Sequence, residues 1–181
     1  MEELNPYAHH LGAESPEHVI AATAARLHDL LDSLTPDQIN TAPGPGKWSL
    51  RELMSHLADC ELVFGWRLRQ ILSADAPELH PFDQDAWSKR YAPIDFSTAQ
   101  RTFDALREWN LLLLPTLADA DRNRPAHHPE RGQITFQSVL ETIAGHDLHH
   151  LRLLEGLLKR EGITPAYPGK SPEPAAVPSP S

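Results

Sequence analysis

Apolar residues recur at helical spacing in four long segments, and this periodicity limits the possible folds more than any other feature of the sequence. The segments run over about residues 16–34, 49–73, 97–120 and 135–162. Ser49 with Glu52 and Ser97 with Gln100 match the capping-box pattern of a helix start. No segment convincingly indicates a β-strand. The sequence therefore predicts an all-α fold, a four-helix bundle formed by residues 1–162.

Most of the prolines lie in the connections between these helices and in the C-terminal segment. Residues 74–96 form a long crossover after the second helix, with one short helix predicted near Asp83–Lys89. Pro115 lies inside the third segment and predicts a kink or an early end there. Residues 163–181 are rich in proline and predict a disordered tail.

Charge and composition exclude several classes of protein. The 181 residues carry 25 acidic and 16 basic side chains, a net charge of −9, and the basic residues are scattered, so we expect no nucleic-acid binding. The apolar run Leu111–Leu114 is far too short to span a bilayer, and the first residues do not resemble a signal peptide. Cys60 is the single cysteine, which excludes an intrachain disulfide. These features predict a soluble, cytoplasmic protein without a membrane partner.

The fourth segment contains GHDLHHLRLLEGLL, where two histidines occupy positions at which a bundle helix usually carries leucine. Its inward stripe is predicted to be Val139, Ile143, His146, His150, Leu153 and Leu157. His146 and His150 are one helical turn apart and point the same way, which is typical of a two-histidine metal clasp. Pairing with a polar neighbour such as Asp147 would also satisfy both rings, so these residues alone leave metal binding open.

His56 is the best candidate for a third ligand, because it lies in the middle of the second helix on its inner side. Cys60 follows one turn later and faces the same way. As a thiolate, Cys60 would be a strong zinc ligand, whereas a lone cysteine on an apolar stripe is more often a small core residue.

Three further polar residues are candidates for proton handling or substrate contacts. Asp59 could ligate the metal, orient His56 as a hydrogen-bond acceptor or pair with Arg67. His149 lies at the edge of the inward stripe, where it could shuttle protons or simply face solvent. His80 lies in the crossover. We predict His149 and Asp59 as the catalytic side chains.

Three segments, KWSLRELMSHLADCEL, HPFDQDAW and HPERGQITFQSVLETIAGHDLHHLRLL, together resemble the DinB/YfiT-like superfamily of four-helix metalloproteins. The resemblance covers about residues 48–154 and is strongest to the branch described as metal-dependent hydrolases. It implies an up-up-down-down-type helix order with a long crossover after the second helix. It also implies a nickel or zinc ion on His56, His146 and His150, with water in the other positions, and a homodimer.

Several members of this superfamily join a low-molecular-weight thiol, such as bacillithiol, to an electrophile. Three neutral nitrogen ligands would leave a divalent ion with open positions, as in catalytic sites, where it activates a bound water or thiol. We therefore expect a metal-dependent hydrolase or thiol S-transferase that acts on a small molecule in detoxification or stress. The alternative is a non-catalytic, metal-stabilised dimeric bundle that binds a small molecule or a protein partner.

Overall fold

The computed structural model describes residues 5–162, and four long helices in this range form the predicted bundle. The helices are α1 (Ala8–Leu11), α2 (Pro16–Leu31), α3 (Pro36–Asn40), α4 (Leu50–Ser73), α5 (Gln84–Ser88), α6 (Phe96–Leu111) and α7 (Phe136–Arg160). Within the bundle, α4 packs mainly on α6, and α2 packs mainly on α7. The predicted tail, residues 163–181, lies outside the described residues. None of the helices in the described range is long and apolar enough to cross a membrane.

The helix boundaries follow local capping signals. The backbone N–H of Ser49 donates to the Glu52 carboxylate at 2.8 Å, and the Ser49 hydroxyl accepts the Glu52 N–H, which confirms the predicted capping box. Asp95, rather than the predicted Ser97, caps α6, because its carboxylate accepts the Thr98 N–H at 2.8 Å.

Pro115 acts as the sequence predicts. Helix α6 ends at Leu111, and a 3₁₀ turn over Leu114–Thr116 contains the proline. The predicted short helix in the crossover is also confirmed, because α5 begins after Asp83, whose carboxylate accepts the Ala86 N–H.

The expectation that no segment forms a strand is wrong at a short hairpin after α6. Strands β1 (Pro125–His128) and β2 (Gly132–Thr135) pair antiparallel, with Pro125 opposite Thr135. Four-residue strands are too short to show a clear alternation of apolar and polar residues. The backbone N–H of Leu79 donates to the His127 carbonyl at 2.8 Å, so the hairpin fastens the crossover to the bundle.

Two apolar clusters form the core, one toward each end of the bundle. The first includes Leu68, Ile71, Leu79, Phe136, Leu140 and Ile143, and the second includes Leu27, Leu57, Phe103, Leu151, Leu154 and Leu158. The predicted inward stripe of α7 continues beyond His150 with Leu153, and this position is wrong by one residue. Leu153 is 53% exposed whereas Leu154 is buried, because α7 presents a broad face to its neighbours and its 153–157 edge faces an open cleft.

A buried polar layer separates the two apolar clusters. Arg107, only 1% exposed, donates to Asp147 and to Glu61 at 2.7 Å, and Asn110 donates to the other Glu61 oxygen at 3.0 Å. The two carboxylates raise the pKa of Arg107, while burial raises the pKa of Asp147. This layer joins α4, α6 and α7 at the level of the histidines.

Candidate metal centre

Helices α4 and α7 bring three buried histidines to one point. His146 Nε2 lies 3.1 Å from His56 Nε2 and 3.0 Å from His150 Nε2. One nitrogen from each ring lies within 4.8 Å of the other two, and the residues His56, His146 and His150 are 1%, 4% and 8% exposed. The structure thus brings together the three residues that the sequence singles out as metal ligands.

The three nitrogens fit a shared cation better than they fit one another. A ring nitrogen carries either one N–H or one lone pair, so His146 Nε2 can make a good hydrogen bond to only one of its two neighbours. Two nitrogens bound to one zinc ion are about 3–3.4 Å apart, given the usual bond length and angle. The observed separations therefore suit a divalent metal that accepts the lone pairs of all three rings.

Burial also sets the protonation state of the cluster. It lowers the pKa of His56 to about 4 and that of His150 to about 3, and it holds the pKa of His146 well below its ordinary value. The rings are therefore neutral at pH 7, which is the form that binds metals. His150 Nδ1 is buried without a hydrogen-bond partner among residues 5–162, so this ring lacks the acceptor that often orients a histidine ligand.

Cys60 lies at the edge of the cluster. Its Sγ is 3.5 Å from His56 Nε2 and 3.8 Å from His146 Nε2. Burial raises the pKa of the thiol well above its ordinary value, and the nearby carboxylates of Glu61 and Asp147 raise it further. The thiol is thus protonated at neutral pH, and it would have to lose its proton to become a fourth ligand.

Aromatic rings that sequence reasoning missed surround the histidines. The Trp48 ring centre is 4.9 Å from that of His56, and Phe82 stacks parallel to His56 at 6.4 Å. Tyr7 meets the His146 ring edge-on at 5.2 Å. Trp48 and Phe82 belong to the KWSL and HPFDQDAW segments. The only feature of the sequence that could have indicated their place at the site is that both are aromatic residues among polar loop residues.

A glycine permits the approach of Tyr7. A Cβ at position 145 would lie 2.6 Å from the Tyr7 carbonyl oxygen and 2.7 Å from the Tyr7 Cβ, closer than such atoms approach in proteins. Gly145 immediately precedes His146 in α7. The N-terminal segment can therefore lie directly against the helix that carries two of the histidines.

An open cleft of about 630 Å³ reaches the ring of His150. Its lining includes Trp48, Leu50, Leu53, Leu153, Leu154 and Leu157 among apolar residues, and Lys47, Asp85 and Arg160 among charged ones. The volume suits a small organic molecule. The His150 ring is thus accessible from a cleft that offers apolar surface together with two cationic side chains.

His149 lies beside the three histidines but outside their group. Its Nδ1 is 3.0 Å from His10 Nε2, and His10 Nδ1 is 3.0 Å from the guanidinium of Arg152. Burial lowers the pKa of His149, so its ring is neutral at pH 7. His10 lies 139 residues before His149 in the chain, and only the fold places the two rings side by side.

Asp59 makes a contact that the sequence did not suggest. Its carboxylate accepts a hydrogen bond from the Tyr91 hydroxyl at 2.8 Å, and no hydrogen bond or ion pair in the described range joins it to His56 or Arg67. Arg67 instead donates to the His80 carbonyl at 2.9 Å. The His80 side chain is exposed and lines a different cleft. Catalytic roles for Asp59 and His80 stay predictions.

Comparison with known proteins finds relatives over most of the chain. A family model described as the DinB superfamily matches residues 20–154. "Putative metal-dependent hydrolase OB0782" of Oceanobacillus iheyensis is 30% identical over 138 residues, which cover 75% of this chain and 79% of the relative. "Putative metal-dependent hydrolase YfiT" of Bacillus subtilis is 29% identical over 147 residues, which cover 80% and 83%.

A solved structure is similar over most of the chain. It is that of YfiT from Bacillus subtilis, described as "a probable metal-dependent hydrolase with an unusual four-helix bundle topology". The TM-score is 0.75 and the sequence identity 28%, over 82% of this chain and 87% of that one.

Proposed function

This chain belongs to the DinB superfamily, and from that premise we propose that it is a metal-dependent hydrolase with one divalent ion on His56, His146 and His150. The observation that carries the proposal is the convergence of three buried, neutral imidazoles at the end of an open cleft. Structural zinc sites are usually closed by four protein ligands, whereas catalytic sites keep positions open to substrate. The names of the relatives support the same class of reaction.

Different residues of the site would bind the ion and shield it from water. His56, His146 and His150 supply lone pairs at Nε2. A bound divalent ion supplies Lewis acidity, which lowers the pKa of a water or thiol in contact with it. Trp48 and Phe82 pack against His56 and exclude water from that side.

The cleft favours a small substrate with an apolar body and an acidic group. Lys47 and Arg160 attract a negative charge, and Leu153 and Leu157 offer apolar surface. A role for His149 in proton handling stays a prediction: the Arg152 guanidinium donates to His10 Nδ1, so His10 Nε2 donates to His149 Nδ1 at 3.0 Å, and the neutral His149 ring carries its own proton on Nε2. Nickel or zinc is the proposed metal, since imidazole nitrogen suits both.

Transfer of a low-molecular-weight thiol to an electrophile is the second candidate. The cleft volume of about 630 Å³ favours it, because that space has room for a thiol beside a second small reactant. The homodimer, the role in stress or detoxification and the non-catalytic binding bundle stay predictions. Light scattering in solution would measure the oligomeric state.

The decisive experiment is elemental analysis of untagged protein, comparing the wild type with His56→Ala, His146→Ala and His150→Ala. We expect about one nickel or zinc ion per chain in the wild type, as for a mononuclear site, and loss of the ion in all three variants. His18→Ala is the matched control, because His18 is exposed in α2 and outside the cluster. Wild-type protein that binds no divalent ion, or variants that retain it, would overturn the proposal.

Activity assays then separate the candidate reactions. Ester and amide hydrolysis and the conjugation of a thiol to an electrophile are measured on the same metal-loaded protein and on His146→Ala. Hydrolysis that depends on His146 supports the hydrolase, and thiol conjugation that depends on it supports S-transfer. A metal-loaded protein that is inactive in the hydrolysis and the thiol-conjugation assays, and whose ion binds no ligand from solution, supports the non-catalytic binding bundle instead.

A further inference from the structure

A second polar cluster lies outside the three histidines. Arg67 of α4, His128 at the end of β1 and Arg131 of the hairpin turn line one small cavity of about 10 Å³. Phe64, Leu79, Ile134 and Val139 are among its apolar walls. The proposed hydrolase mechanism uses none of the three polar side chains that line this cavity.

Neither arginine has a carboxylate partner within 4 Å among residues 5–162. Arg67 is 7% exposed, its Nη2 donates to the His80 carbonyl, and its Nε is buried with no hydrogen-bond partner in this range. The Arg131 guanidinium makes no hydrogen bond within the same range. The exposed Glu130 beside it forms no ion pair with either arginine, although its charge acts on both. Burial and the proximity of Arg131 lower the pKa of Arg67.

His128 adds a third hydrogen-bond donor. It is buried, and its Nδ1 accepts the backbone N–H of Glu130 at 3.3 Å. The proton of the neutral ring therefore sits on Nε2, which is left as a donor. The Thr142 hydroxyl, which also lines the cavity, donates to the Ser138 carbonyl. The cavity thus gathers two positive charges and several donors, and no carboxylate among residues 5–162 lines it or lies within 4 Å of either guanidinium.

We propose that Arg67, Arg131 and His128 bind a compact anion in this cavity. Buried charges are ordinarily paired, and guanidinium groups favour anionic oxygens and halides. A volume of about 10 Å³ holds roughly one water-sized sphere. The ligand is therefore a halide ion, or a single oxygen of a carboxylate or phosphate group.

This site is separate from the three histidines, although only one ring lies between them. The Arg67 guanidinium lies 5.8 Å from the centre of the Phe64 ring, and the Phe64 ring lies 6.1 Å from the His146 ring. Because no cavity residue is one of the three histidines, anion binding does not require the proposed metal.

Chloride-35 NMR tests the proposal, because chloride that exchanges with a protein site broadens the solvent chloride signal. We expect excess line width in the wild type and its loss in Arg131→Gln, a variant of a half-buried turn residue that leaves the helices unchanged. Arg67→Gln should lose it as well, with circular dichroism to check its fold. His146→Ala should keep it, which distinguishes this site from chloride on a metal.

The matched control is Arg101→Gln, which removes one exposed arginine whose guanidinium bonds only to side chains of its own helix. It should keep the excess line width. Displacement of chloride by acetate and by inorganic phosphate at constant ionic strength identifies a site for oxyanions, and displacement by bromide alone identifies a halide site. Equal line widths in the wild type and Arg131→Gln would overturn the proposal and leave a water molecule as the occupant.

Discussion

Arg107→Met removes the cation that two buried carboxylates share. The Arg107 guanidinium lies 2.7 Å from Glu61 Oε1 and 2.7 Å from Asp147 Oδ2, and all three side chains are almost fully buried. Methionine has a similar length but no charge, so both carboxylates lose their partner while the packing is largely kept. Removing one partner of a buried ion pair costs about 3–5 kcal/mol.

Urea unfolding followed by circular dichroism measures this cost. With a slope of about 2 kcal/mol per M for a domain of this size, the midpoint should fall by about 2 M. The matched control is Arg26→Met, which breaks an exposed pair with Glu155 at 2.9 Å and should cost less than about 1 kcal/mol. Methionine and arginine have similar helix propensities, so the comparison isolates the burial of the charge.

The loss of stability in Arg107→Met should also depend on pH. Burial raises the pKa of Asp147, and Arg107 partly offsets this, so the pKa of Asp147 rises further in the variant. An acid whose pKa is higher in the folded than in the unfolded state binds more protons when the protein is folded. The free energy of unfolding of the protein therefore falls as pH rises. The variant should therefore lose progressively more stability as pH rises from the ordinary aspartate pKa of 3.8 toward neutral pH. A midpoint shift no larger than that of Arg26→Met would refute the reasoning.

Three further predictions concern the cap, the glycine contact and the histidines. Ser49→Ala should cost about 1 kcal/mol in urea unfolding, through the lost helix cap, and an unchanged midpoint would contradict it. Gly145→Ala should lower the free energy of unfolding by about 1–3 kcal/mol, because the new Cβ would clash with Tyr7. A melting temperature equal to that of the wild type would show that the Tyr7 segment moves away at no cost. After chelator treatment, stability should fall as pH drops below about 6.5, by roughly 1.4 kcal/mol per pH unit for each of His56 and His150, whose pKa values are about 4 and about 3 when folded. Equal unfolding midpoints at pH 7 and pH 5 would contradict this last prediction.

The sequence by itself determined the helices and the three histidines. Caps such as Ser49 with Glu52 involve residues three apart, and the 3.6-residue period places His146 and His150 on one face of α7 without knowledge of any other element. His56 followed from the same periodicity on α4. These features are local, so a short stretch of sequence carries enough information to predict them.

Tertiary structure alone decided which polar residues are buried. Arg107 lies in a helix whose predicted stripe was apolar, and its burial depends on Glu61 and Asp147, which are 46 and 40 residues away in the chain. The same holds for Arg67 and Arg131, which line one cavity only because a hairpin absent from the prediction forms there and packs against α7. A charged side chain enters the interior only when the fold surrounds it with compensating groups or leaves room for an ion. That condition depends on several distant residues at once, so no local pattern reveals it.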